Sequence, residues 1–130
     1  MDQGNEKGLR YAQGLERLSE VDDGAVSGMV EHLGDLGRYI VEFAYGDIYR
    51  RGELSARDRE LIAVAVLASL GAREAQLEAH LHSAMKVGLS VPQLQEVIIQ
   101  TVTYAGFPSA INAMQKLSAV VSRQDAREEG

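Results

Sequence analysis

The stretch "RELIAVAVLASLG", residues 59–71, decides the fold class. It opens on charge and then runs from Leu61 to Leu70 almost without a polar side chain. The run covers about half of the roughly twenty residues that a bilayer span needs, so it belongs to a soluble core and not to a membrane. Ser55 supplies an N-cap for a helix here, Asp58 follows three residues on as a relative of the capping box, and Gly71 closes it. A helix without a polar face must be buried on all sides. A chain of 130 residues makes one domain with limited surface to spare for that task. Part of the burial is therefore expected from a second copy of the chain.

The helical period continues outward in both directions. From Ser27 to Tyr49 the apolar positions Met29, Val30, Leu33, Leu36, Ile40 and Val41 recur at three and four, which predicts one amphipathic helix. Residues 1–26 read as a polar N-terminal extension with a short helix over "LRYAQGLERLSE", ended by the turn chemistry of "VDDGAVSG". Downstream, a helix is predicted from Arg73 to Val87, with Gly88 at the left-handed C-terminal position. Ser90, Pro92 and Gln93 start the next one with a capping box, and Leu94, Val97, Ile98, Thr101 and Val102 mark its buried face. "YAGFP" breaks that helix, and Pro108 starts another through Ile111, Met114, Leu117 and Val121. Residues 123–130 form a charged tail expected to fray. Strand-like alternation is absent. The expectation is an all-α bundle of about six helices over residues 27–122.

Composition narrows the function. The formal net charge of −6 argues against nucleic acid as a partner, because phosphate binding needs a basic face. The absence of cysteine excludes disulfides, thiolate metal sites and thiol redox chemistry. The start, "MDQGNEKGLR", is polar with no apolar run behind it, and a cytoplasmic protein without a membrane span is expected.

Two of the three histidines lie in "LEAHLHSAMKVG", residues 77–88. Leu77, Leu81, Ala84, Met85 and Gly88 form the core stripe of that helix, and His80 borders it. His82 lies about 200° from His80 around the helix, at 100° per residue. Chelation from one helix face needs a spacing of three or four, so the pair does not make a metal site by itself, and no metal is expected. An exposed Glu78–His82 pair explains His82. His80, half-buried beside an apolar face, is either a satisfied structural histidine or a group that faces a pocket.

These residues resemble the carboxymuconolactone decarboxylase family, which shares a superfamily with the alkylhydroperoxidase AhpD. The resemblance rests on Arg59-Glu60-Leu61 leading into the apolar helix, on His80, Ala84 and Gly88 spaced as His-x-x-x-Ala-x-x-x-Gly, and on Tyr104, Gly106 and Pro108 at the later break. Upstream, "YRRGELS" is similar to the family's aromatic-x-Arg run, with Tyr49 and Arg51 at those two places. It covers residues 40–118. The peroxidase branch carries a Cys-x-x-Cys pair where this chain has Ala72 and Ala75, so disulfide-cycling peroxidase chemistry is excluded and the cysteine-free branch fits. The segment between Gly71 and His80 is about one residue longer than is usual in that branch.

The resemblance implies an AhpD-like helical bundle, oligomeric as a trimer or hexamer, that decarboxylates a small carboxylated lactone without any cofactor. Losing CO₂ from a carbon conjugated to a lactone carbonyl leaves a dienolate. Preorganised donors stabilise the oxyanion, and a general acid with a pKa near the working pH returns a proton to carbon. His80 is then the acid and Glu60 the group that orients it. Arg51 holds a substrate carboxylate by a bidentate contact, with Tyr49 beside it, and Tyr104 donates to the oxyanion or packs. Each has a plainer explanation, with Glu60 a favourable first-turn carboxylate and Arg51, Arg57 and Arg59 solvated charges. The alternative function is a non-catalytic helical oligomer or small-ligand-binding protein of the same fold.

Overall fold

The computed structural model describes residues 2–129, with side chains from residue 8 onward. Among the described residues it has seven α-helices, one π-helix and no strand. In chain order these are α1 (Asp2–Val21), α2 (Ala25–Val30), α3 (Asp35–Tyr39), the π-helix (Ile40–Ile48), α4 (Ala56–Leu70), α5 (Glu74–Lys86), α6 (Val91–Ala105) and α7 (Phe107–Glu129). The all-α class agrees with the sequence, and the helices outnumber the six expected. The chain divides into two compact units, residues 1–56 and 57–130.

In the first unit, α1 packs against the π-helix. Leu18, Val21, Val26, Val41 and Tyr45 are its buried core. Glycine permits the close approach, since a Cβ on Gly14 would lie 2.1 Å from the Val41 carbonyl oxygen. The helix expected over 9–20 is therefore longer, and its inward residues belong to a packed core. The single helix expected from Ser27 to Tyr49 is instead three elements. Gly34, at φ 59° and ψ −130°, breaks the chain between α2 and α3. Gly37 lets α3 close on α2, where a Cβ would lie 2.2 Å from the Val30 carbonyl oxygen. The apolar spacing of three and four concealed these breaks because neither glycine alters it. "VDDG" is a cap as well as a turn. Asp22 is buried and accepts bonds from the Val26 and Ser27 N–H groups, both at 2.9 Å, and from the Ser27 hydroxyl at 2.6 Å.

In the second unit, Gly71 (φ 69°) and Ala72 (φ 52°) make the left-handed turn from α4 to α5. The predicted capping box starts α6. The Gln93 N–H donates to Ser90 Oγ at 3.2 Å, and the Ser90 N–H donates to Gln93 Oε1 at 2.9 Å. Gly106 (φ 88°) separates α6 from α7, which packs against both α5 and α6. Residues 123–129 continue α7 instead of fraying. Arg123 forms an ion pair with Glu78 on α5 and donates to the Ala119 carbonyl, which ties the start of the charged segment to the helix pair. Val64, Leu81, Leu94, Ile98, Leu117 and Val120 lie in the shared core. Only one face of α4, carrying Glu60, Val64 and Ala68, is buried. Ile62, Val66 and Leu70 remain 46%, 48% and 57% exposed. Burial on every side, as its sequence demands, is not reached within one chain. No helix among the described residues is long and apolar enough to cross a membrane.

Candidate active site

Glu60 lies one turn before Val64 on the buried face of α4 and has no exposed surface. On α5, Leu77, Leu81 and Ala84 are buried, and His80 borders them with a fifth of its side chain exposed. The two meet across the helices, with His80 Nδ1 2.8 Å from Glu60 Oε2. A carboxylate withdrawn from water is costly unless it is hydrogen-bonded and paired, and the imidazole supplies such a bond. Glu60 is thus a buried partner of His80, more than the solvated first-turn carboxylate its position allowed. The contact fixes Nδ1 on the carboxylate, so Nε2 is the ring nitrogen that faces other chemistry.

His82 is half-buried, where the sequence suggested exposure. α7 packs along α5, and its Arg123 forms an ion pair with Glu78. Among the described residues no three His, Asp or Glu side chains gather as a metal cluster would.

The remaining expected site residues lie on other elements. Tyr104 is 85% exposed on α6 and lies on a groove whose lining includes neither Glu60 nor His80. That groove, between α4 and α6, has a volume of about 710 Å³ and mostly apolar walls. Tyr49 and Arg51 belong to the first unit. Tyr49 stacks at a tilt on Tyr45, ring centroids 4.7 Å apart, and its carbonyl accepts from Arg17 Nε at 3.1 Å. Arg51 is exposed.

Sequence reasoning missed two features. Glu42 is a nearly buried carboxylate with Arg10 at 3.7 Å and Arg38 at 3.9 Å. Its available signal was Arg38 four residues earlier. Arg57, taken as a solvated charge, is half-buried on the wall of the groove. Only the tertiary arrangement reveals that.

The family model described as "Carboxymuconolactone decarboxylase family" matches residues 34–119, a span that contains both Glu60 and His80. The chain belongs to this family. It is 35% identical over 116 residues to the 4-carboxymuconolactone decarboxylase of Acinetobacter baylyi, covering 85% of this chain and 86% of that protein. It is also 30% identical over 77 residues to the nitrosuccinic acid decarboxylase of Metarhizium robertsii, covering 58% of this chain and 52% of that one. The family and both relatives are decarboxylases, and this chain is accordingly a carboxy-lyase.

Proposed function

We propose that the chain decarboxylates a small carboxylated lactone, or a related acid, without a cofactor, and that Glu60 and His80 are its catalytic pair. The observation that carries this is the 2.8 Å contact between a part-exposed imidazole and a fully buried carboxylate. The similarity to a 4-carboxymuconolactone decarboxylase along most of both chains supports the substrate class.

The reaction breaks the bond between the carboxylate carbon and the ring. CO₂ leaves, and the electron pair flows through the conjugated double bond onto the lactone carbonyl oxygen. The Glu60 carboxylate orients the imidazole through Nδ1. Nε2 of His80 then delivers the proton to carbon, completing the exchange of CO₂ for hydrogen. Such acid–base assistance is typically worth about 10²–10⁴-fold. Arg51 is the proposed carboxylate clamp with Tyr49 beside it, and Tyr104 the proposed oxyanion donor. The proposed partners are a small anionic substrate and further copies of this chain as a trimer or hexamer. The proposed setting is aromatic catabolism in the cytoplasm.

The test is an incubation of purified protein with 4-carboxymuconolactone, following CO₂ release and ultraviolet absorbance. Turnover is expected, with a loss of about 10²-fold or more in His80→Ala and little change in His82→Ala. A His80→Ala protein that is folded by circular dichroism and turns over at the unaltered rate removes the pair from the mechanism. A folded native protein without turnover excludes this substrate.

A further inference from the structure

We propose that Ser83 is a positioning residue for the proton transfer, and that its hydroxyl donates to Nε2 of His80 once that nitrogen has given up its proton. The inference rests on the decarboxylase reading and names a further residue of that same site.

Ser83 lies three residues after His80 on α5 and has no exposed surface. About 60° of arc separates the two around the helix. Helical side chains lean back toward the N-terminus, so Ser83 covers the turn that carries His80. Its hydroxyl is buried and, among the described residues, makes no hydrogen bond. A serine or threonine inside a helix commonly closes on a carbonyl one turn back. Ser69 does so on Ala65 at 2.7 Å, and Thr101 on Ile98 at 2.6 Å. Packing does not require the Ser83 oxygen either, since Ala79, one turn earlier on the same flank, is buried without one. An idle buried hydroxyl destabilises the fold, so its presence points to a partner it meets in another state.

The proton transfer supplies that state. Nδ1 of His80 is held by Glu60. While Nε2 carries its proton, that proton is directed at the substrate. After delivery to carbon the imidazole is neutral, Nδ1 keeps its hydrogen on Glu60, and Nε2 is a bare acceptor. The Ser83 hydroxyl, one turn away, turns among its staggered positions to donate there. It holds the neutral ring on Glu60 and loses no proton itself. Nε2 then takes its next proton from solvent, which reaches a fifth of the His80 side chain.

NMR of the imidazole nitrogens in the full chain tests the contact without need of turnover, the His80 signals being those missing from His80→Ala. With the ring neutral, Nε2 should resonate as a hydrogen-bonded acceptor in the native chain and as a bare one in Ser83→Ala. In the decarboxylase assay Ser83→Ala should lower kcat about tenfold at unchanged KM, the increment of one hydrogen bond. In a His80→Ala background the same substitution should lower it no further. With the ring protonated, Ser83→Ala should melt no lower than the native chain, since it removes a hydroxyl that has no partner. An Nε2 signal unchanged by Ser83→Ala overturns the proposal, and so does a native kcat in that variant. A lower Tm in step with a lower kcat marks Ser83 as structural and overturns it too. If the signal changes while the native chain turns nothing over, the contact stands and the substrate assignment alone falls.

Discussion

Glu60 has no exposed surface, and the imidazole of His80 meets it at 2.8 Å. Removing the imidazole therefore affects stability as well as chemistry. His80→Ala is expected to cost about 3 kcal/mol, as for breaking a largely buried pair, measurable by urea unfolding. Glu60→Gln keeps a hydrogen-bonding partner of the same shape while removing the charge, so it should lower kcat far more than it lowers stability. Equal losses of both in Glu60→Gln would mark the pair as structural. Asp22 gives a separate test through pH. Burial pushes its carboxyl up, but the bonds from the Ser27 hydroxyl and from the Ser27, Val26 and Gly24 N–H groups outweigh this and hold it below its ordinary value of 3.8. A group depressed in the folded state stabilises the fold fully above its unfolded value, and that contribution is lost as pH falls through the folded value. The stability gap between the native chain and Asp22→Ala should be about 1 kcal/mol at neutral pH, as for a lost helix cap, and should close in acid below the ordinary carboxylate range. A gap that holds constant in acid would contradict this. At this scale the sequence revealed Glu60 and His80 through family resemblance, and their contact, across twenty residues of chain, only through the fold. Glu42 left only the local sign of Arg38 four residues earlier, and Arg57 left none, since nothing local distinguishes a half-buried charge from a solvated one.

Elements with chemical punctuation were legible. α5 was expected from Arg73 to Val87 and runs Glu74–Lys86. The α6 cap at Ser90, Pro92 and Gln93 is present as read. Between 27 and 49 the reading failed, because apolar spacing reports which residues face a core and not whether the backbone stays helical between them. The π-helix had no sequence signature at all. The same region carries a clear test of packing. Gly14→Ala puts a methyl 2.1 Å from the Val41 carbonyl oxygen, so α1 and the π-helix must move apart. A cost of about 1–3 kcal/mol is expected, as for other overpacked contacts. Gly8→Ala, in the same helix with no atom within 4 Å of the added carbon, should instead stabilise by about 0.5–1 kcal/mol through helix propensity. Thermal unfolding by circular dichroism measures both. If the two variants shift in the same direction, the close crossing of α1 is not real.

For the whole molecule the deciding feature is the stripe of Ile62, Val66 and Leu70 on α4, about half exposed in a single chain. Phe107 and Ile111 on α7 are also exposed, at 69% and 53%. Burying each such side chain is worth about 1.5–3 kcal/mol, so a few of them supply a strong drive to associate. Sedimentation at micromolar protein should give a mass several times 14.1 kDa, and Ile62→Lys combined with Leu70→Lys should lower it. A native chain that sediments as a monomer would refute the assembly. The same stripe ties heat resistance to protein concentration. Where only the associated form covers its apolar surface, dissociation is coupled to unfolding, and mass action sets the midpoint. Tm should then fall with each dilution of about tenfold in the native chain, while the lysine variant should melt at one temperature whatever its concentration.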